Sequence, residues 1–320
     1  MAAYDVFNGD ADGLCALVQL RLAEPREATL ITGVKRDIQL LAQVPVQPPA
    51  RVTVLDINLD QNRQALDALL AADHDVFYAD HHYPGESLPA HPAFSGHIDT
   101  AAETCTSLIV DRLLCGRYAL WATVAAFGDN LVAVAEARCR AAGLTEAETA
   151  QLRLLGTCLN YNGYGAGTAD LHFHPAELFR ALQPYASPFS FMHDNADVWR
   201  RLSVGYADDM RQGLEVPPLA SDEHMAVIVM PDAAWSRRVN GVLGNELANR
   251  HPGRAHALVT TTPKGDYAVS IRAPLRNRQG ADALARQFAT GGGRQAAAGI
   301  NHLPVEQLPV FIEAMAAQWR

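Results

Sequence analysis

Along the first 80 residues, short apolar runs alternate with stretches of helical spacing. The runs Tyr4–Phe7, Ala28–Val34, Val52–Ile57 and Asp75–Ala79 have the length and composition of strands. Between them, Gly13–Glu24, Asp37–Gln43 and Gln61–Ala72 place apolar residues at helix-compatible intervals. This alternation predicts βαβ units and a parallel sheet, which binds ligands beyond the carboxyl ends of its strands. From about residue 104 to 200 the pattern becomes helical, with helices predicted over Leu108–Leu114, Leu120–Phe127, Leu131–Ala142 and Thr145–Leu159. The asparagines and glycines of Asn160–Asp170 predict a loop. A boundary is expected between about 205 and 224, where the helix-like Tyr206–Leu214 runs into Val216-Pro217-Pro218-Leu219, because a proline disfavours the helical conformation of the residue before it. A second α/β pattern follows, with a strand at Met225–Met230, a helix at Val239–Arg250 and strands at Ala255–Thr260 and Tyr267–Ile271. The expected organisation is a parallel-sheet α/β domain with a helical second half over 1–205, a linker over 206–224 and a smaller α/β domain over 225–320.

At 320 residues, 49% of them hydrophobic and 19% charged, the chain is large enough for two cores. Its net charge of −9 argues against a general coat for long nucleic acid, which draws on clustered Lys and Arg. An acidic protein that takes an anionic ligand needs metal ions or concentrated arginines at the site. The five cysteines include no Cys-x-x-Cys pair, which fits reduced thiols in the cytoplasm. The apolar stretch Tyr118–Phe127 is half the roughly 20 residues that a spanning helix needs, so no membrane association is expected. The apolar helices over 104–142 are candidates to pack against a second copy in a homodimer.

Four short segments carry candidate chemistry: Asn8-Gly9-Asp10-Ala11-Asp12-Gly13 after the first strand, Asp56 after the third, Asp80-His81-His82 after the fourth, and Gly128-Asp129-Asn130 after an apolar helix. Each has an ordinary explanation. Asp10 and Asp12 can cap the following helix; Asp56 can cap or form an Asx-turn with Asn58; the histidines can be surface residues and Asp129 part of a turn. Together they offer carboxylate oxygens and imidazole nitrogens at element ends of one α/β domain. That mixture suits Mn²⁺, Mg²⁺ or Co²⁺, and two such ions can share a bridging carboxylate and a water. Near the C-terminus, Val269-Ser270-Ile271-Arg272 and Thr290-Gly291-Gly292-Gly293-Arg294 combine exposed backbone N–H groups with permanent charge suited to an anion. The alternative is a flexible glycine loop followed by a small-residue helix.

The order of these segments resembles the DHH phosphoesterase superfamily, whose eponymous motif stands as Asp80-His81-His82, with Asp10-Ala11-Asp12-Gly13 similar to the first motif of the RecJ branch. The tail resembles the DHH-associated C-terminal domain. The resemblance implies a metal-dependent phosphoesterase with two ions, Mn²⁺ foremost, at a centre of Asn8, Asp10, Asp12, Asp56, His81 and Asp129. Asp56 would bridge, Asp10, Asp129 and His81 would be terminal ligands, His82 would face the phosphate or support a ligand, and Asp80 would orient the histidines. Asp80, His81 and His82 are thus the candidate catalytic residues. Ser270, Arg272, Gly291, Gly292, Gly293 and Arg294 are the candidate substrate-binding residues. Two departures stand out. Asn8 replaces the histidine or aspartate of many relatives and offers only a neutral oxygen, so either Asp12 compensates or the register of the motif differs by two residues. Arg294 replaces a histidine, which keeps positive charge and removes a titratable ring. The implied substrate is small, a short oligonucleotide or nucleoside bisphosphate rather than a long nucleic acid; an exopolyphosphatase or pyrophosphatase and a non-catalytic nucleotide-binding protein are the alternatives.

Overall fold

The computed structural model describes residues 1–262 and 264–320. It divides into two units, Met1–Gly205 and Tyr206–Arg320. The first is built on strands β1 (Ala3–Phe7), β2 (Thr29–Ile31), β3 (Arg51–Leu55), β4 (Asp75–Asp80) and β5 (Phe94–Ile98). They form the expected parallel sheet, in the order β2-β1-β3-β4-β5. Helix α1 (Ala11–Ala23) links β1 to β2, and α2 (Leu59–Ala71) links β3 to β4. Helices α3 (Thr106–Leu113), α4 (Ala119–Gly128), α5 (Val132–Ala141), α6 (Glu146–Asn162), α7 (Pro175–Leu182) and α8 (Pro188–Asp194) follow, and α9 (Ala196–Glu215) continues across the division at residue 205.

Two layers of side chains hold this sheet. Val6, Val52, Val54, Val76 and Tyr78 alternate onto one face and pack on Leu59, Leu66, Leu69 and Leu70 of α2, the period-two strand pattern meeting a one-sided helix. On the other face α1 is buried from Ala11 to Gln19. A helix enclosed all round needs no polar stripe, and α1 is flanked by the sheet, α3, α4, α6 and α7. Its one long cation is satisfied internally: Arg21 donates to both Asp5 carboxylate oxygens at 2.8 and 2.6 Å and to Thr53 Oγ1 at 2.9 Å. Asp5 and Thr53 are register partners on β1 and β3, so they stand side by side under Arg21. At the far end of α1, a Cβ on Gly128 would lie 2.4 Å from Ala11 Cβ and 2.9 Å from the Gly156 carbonyl. Glycine there lets the end of α4 reach the start of α1, and this close approach delivers Asp129 to the carboxyl edge of the sheet.

Several elements differ from the expected ones. In place of a helix over Asp37–Gln43 there is only a 3-10 turn at Leu40–Gln43. The Asp37 carboxylate turns back to accept the Val34 N–H at 2.9 Å, and Pro45, Pro48 and Pro49 deny the chain further helical donors. The Asn160–Asp170 loop begins later, because Asn160, Tyr161 and Asn162 complete α6. The edge strand β5 carries no strand signal in the sequence, since Phe-Ser-Gly-His-Ile has no sustained alternation.

The second unit contains β6 (Ala220–Ser221), β7 (Met225–Val229), α10 (Ala234–Arg250), β8 (Ala255–Thr261), β9 (Tyr267–Arg272), α11 (Ala281–Ala285), β10 (Gly291–Gly293), β11 (Ala297–Leu303) and α12 (Leu308–Gln318). Its sheet runs β10-β11-β9-β8-β7-β6, with β7 and β8 parallel and the other pairs antiparallel. The chain is thus α/β throughout, with a parallel sheet first and a mixed sheet second.

One buried histidine gives this unit a testable pH response. His256 on β8 is 2% exposed and its Nδ1 has no partner among the described residues. Burial, with the positive charges of His251 and Arg254, pulls its pKa down to about 4. The unfolded chain therefore takes up a proton near pH 6.5 that the folded unit refuses until about pH 4. Stability is full above pH 6.5 and is lost as the pH falls toward 4, by roughly 3 kcal/mol at most for a shift of this size. His256→Leu is expected to flatten that part of a melting-temperature profile between pH 7 and 4. Identical slopes in the two proteins would contradict the assignment.

Candidate metal centre

The chain after β1, β3 and β4 turns at the same edge of the parallel sheet, so Asp10, Asp12, Asp56 and the Asp80–His82 triplet emerge together. Asp56 is the first residue past β3 and sits at φ 58°, a left-handed conformation that costs an ordinary residue energy. Its N–H donates to the Ala79 carbonyl at 3.1 Å, which holds the carboxylate at the strand end. Asp12 lies in the first turn of α1, and its two carboxylate oxygens accept the N–H groups of Thr106 and Ser107 at 2.7 Å each. The N-terminus of α3 thereby fixes the Asp12 carboxylate with two oriented donors. Thr106 Oγ1 also donates to Asp56 at 3.3 Å. Asp129 closes the C-terminal end of α4, its N–H bonded to the Ala125 carbonyl at 2.8 Å.

His81 Nε2 is the common neighbour of these groups. It stands 3.5 Å from Asp56 Oδ1, 3.9 Å from Asp129 Oδ2 and 4.0 Å from Asp12 Oδ2. These separations are too long for hydrogen bonds and suit donors placed around a cation with ligand distances near roughly 2.1 Å. Two donor groups are close enough to share an ion, Asp12 with His81 and Asp129, and Asp56 with His81 and His82. The electrostatics agree with the donor chemistry. Burial, with the negative charges of Asp12, Asp10, Asp80 and Asp129, pushes Asp56 well above the usual carboxylate range. Asp129 is pushed up to about 6 by burial and by Asp12, against the opposing charge of Lys35. Carboxylates crowded in this way lack positive charge, and a divalent cation supplies it. The residues on this side of the cluster therefore fit a metal ion.

Asp80 is completely buried and accepts the His81 N–H at 2.9 Å and His82 Nδ1 at 2.7 Å on one oxygen. That bond, opposed by burial, raises the His82 pKa. This oxygen of Asp80 thus holds the His82 ring in place.

Asn8 and Asp10 are placed differently. Asn8 Oδ1 accepts the Asp10 N–H at 3.3 Å, and its Nδ2 donates to the Lys35 carbonyl at 3.4 Å. Its amide is engaged in the loop rather than turned to the His81 cluster. Asp10 caps α1, accepting the N–H groups of Asp12 and Gly13 at 3.0 and 3.2 Å, while its other oxygen is ion-paired to Lys35 Nζ. Burial tends to raise the Asp10 pKa, but Lys35, the Gly13 N–H and a hydrogen bond shared with the Asp56 carboxyl outweigh it and hold Asp10 below its usual range. Burial opposes a charged Lys35 in turn, and Asp10, Tyr164 and Asp129 outweigh it, keeping the lysine well above its ordinary range.

Lys35, Thr106 and Ser107 are site residues that sequence reasoning missed. Lys35 follows a strand of the parallel sheet at its carboxyl edge, a position that could have drawn notice. The Thr-Ser pair opens a helix, but its pairing with a carboxylate 94 residues earlier is visible only in three dimensions. Tyr161, near the end of α6, is fully buried, and its hydroxyl meets His172 Nε2 at 2.7 Å.

In the second unit, Gly291–Gly293 form an edge strand rather than a loop, in register with Ala298–Ile300. The segment after Arg294 is the strand β11 rather than a small-residue helix. Gly293 has φ 140°, and a Cβ there would lie 2.5 Å from the Ala298 Cα, so the turn before exposed Arg294 requires glycine. Ser270 and Arg272 lie on β9, opposite Gly299 and Ala297 of β11. Arg272 donates to Asn245 Oδ1 at 2.8 Å and to Ser270 Oγ at 3.1 Å.

No family model and no curated protein matches the sequence. Solved structures do match the fold. An exonuclease RecJ bound to manganese is 16% identical with a TM-score of 0.63, the match covering 99% of this chain and 89% of that one. RecJ from Thermus thermophilus in complex with Mn²⁺ is 18% identical at a TM-score of 0.65, over 99% of this chain and 51% of that one. PggH, a pGpG-specific phosphodiesterase from Vibrio cholerae, is 16% identical at 0.58, over 99% of this chain and 98% of that one. The chain shares its fold with these RecJ and PggH structures.

Proposed function

We propose that this protein is a divalent-cation-dependent phosphoesterase that hydrolyses small nucleotide substrates, short oligonucleotides or nucleoside bisphosphates. The observation that carries the reading is the meeting of Asp12, Asp56 and Asp129 around His81 Nε2 at 3.5–4.0 Å. The fold neighbours add support, since two are manganese-bound exonucleases and one a dinucleotide phosphodiesterase. A bound divalent cation would acidify a water and offset charge on phosphoryl oxygens. Asp12, Asp56, His81 and Asp129 would hold it. Asp80 would keep His82 oriented toward an anionic oxygen of the substrate. In the second unit, Ser270, Arg272, the Gly291–Gly293 edge and Arg294 would bind an anionic group of the substrate.

Phosphate release from a 5′-phosphorylated dinucleotide, a nucleoside 3′,5′-bisphosphate and inorganic polyphosphate, each with added Mn²⁺ and with EDTA, tests the reading. Mn²⁺-dependent turnover of one of the first two is expected. Turnover of polyphosphate alone would reject the nucleotide assignment, and EDTA-insensitive turnover would reject the metal. Arg294→Ala is expected to raise KM by roughly 10–100-fold, the value of one charge-assisted hydrogen bond, with little change in kcat. An unchanged KM for every active substrate would remove Arg294 from recognition.

A further inference from the structure

We infer that Lys35 is a resident cation of the centre, its ammonium standing in for one of two divalent ions, so that the site takes a single metal. This rests on the metal-dependent reading above and fixes the number of ions. Three observations carry it.

First, the carboxylate and imidazole groups close enough to share an ion among the described residues are Asp12–His81–Asp129 and Asp56–His81–His82, and Asp10 belongs to neither. Both lie on the His81 side.

Second, the Asp10 side is already occupied. One Asp10 oxygen takes two backbone N–H groups and the other is ion-paired to Lys35 Nζ. An ion on that oxygen would have to share it with the ammonium. Like charges separated by about 4 Å repel strongly in a partly buried site, so ammonium and second metal exclude one another. The Asn8 amide, neutral and bonded to Asp10 N–H and the Lys35 carbonyl, adds no charge to tip that competition toward a metal.

Third, Lys35 is a built part of the site rather than a loose surface lysine. Its N–H donates to the Gly163 carbonyl at 2.7 Å. Its Nζ lies 3.2 Å from Asn160 Oδ1, 3.8 Å from Asp129 Oδ1 and 5.8 Å from the centre of the Tyr164 ring. The end of α6 and the loop behind it thus cradle one ammonium. A Cβ on Gly163 would come within 3.0 Å of Asp10, which brings that loop against the same carboxylate. Asp129 faces both ways, one oxygen toward Lys35 and the other toward His81.

Mn²⁺ binding to the full-length protein tests this, by calorimetric stoichiometry and by electron paramagnetic resonance. The wild type is expected to bind one Mn²⁺ per chain, with the spectrum of isolated ions. The double variant Asn8→Asp/Lys35→Met clears the ammonium and restores an acid, and should bind two and show an exchange-coupled pair. Two coupled ions in the wild type would overturn the inference while leaving a metal-dependent enzyme intact; this arm needs no variant. A folded double variant that still binds one ion would also overturn it. Absence of any Mn²⁺ from the wild type would overturn the metal-dependent reading itself.

Discussion

Asp56→Asn is expected to abolish cation binding and to raise the stability of the cation-free protein. Both effects follow from one position. Asp56 is 3% exposed, sits at φ 58° and is crowded by Asp12, Asp10, Asp80 and Asp129. Asparagine tolerates the left-handed conformation, keeps the shape and removes the like-charge repulsion. Relief of a strained functional site is commonly worth about 0.5–2 kcal/mol. For a unit of this size that is a rise of roughly 1–8 °C in melting temperature, measured in EDTA. The loss of Mn²⁺ affinity should exceed the roughly 10–100-fold typical of outer-shell changes, because the carboxylate itself is removed. A variant that melts lower than wild type in EDTA, or that binds Mn²⁺ normally, would contradict this account of Asp56.

Arg21→Met has the opposite character, damaging the fold without touching the site. Arg21 and Asp5 are 4% and 1% exposed at their side chains and are joined by two hydrogen bonds, with Thr53 accepting a third from Arg21. Removing the guanidinium strands a buried carboxylate beneath α1, which costs roughly 3–5 kcal/mol. Replacing both partners with apolar residues of similar size, Asp5→Leu with Arg21→Met, should recover most of the loss, because no unpaired charge remains. Urea unfolding of the four proteins of that cycle measures both claims. A single variant within about 1 kcal/mol of wild type, the range of an exposed pair, would mean that water reaches Asp5.

The parts of this molecule legible in the sequence are those governed by local pattern. Val52–Leu55 and Asp75–Ala79 are apolar runs that end in an acid, and each became a parallel strand delivering that acid to the ligand edge. The Asp80-His81-His82 triplet sits where such a strand end places it. What depends on neighbours distant in sequence was not legible. The partnership of Lys35 with Asp10 requires β2 to lie beside β1 and α6 to end against both, and nothing in Gly33-Val34-Lys35 announces that. The seating of Asp12 on Thr106 and Ser107 likewise needs α3 to begin over α1. Asn8 reads as a ligand by its place in a motif, and the hydrogen bonds of its amide to the Asp10 N–H and the Lys35 carbonyl likewise depend on the fold. Gly291–Gly293 suggested a loop because glycine weakens strands, but pairing with β11 overrides that local preference.

The central claim is that Asp12, Asp56, His81 and Asp129 converge in order to hold a divalent cation. Anomalous scattering at the manganese edge, from crystals grown with Mn²⁺, tests it most directly. The account predicts a peak within ligand distance of His81 Nε2 and of carboxylate oxygens from Asp12, Asp56 and Asp129. An empty cluster under saturating Mn²⁺, or a peak only elsewhere on the chain, would contradict it.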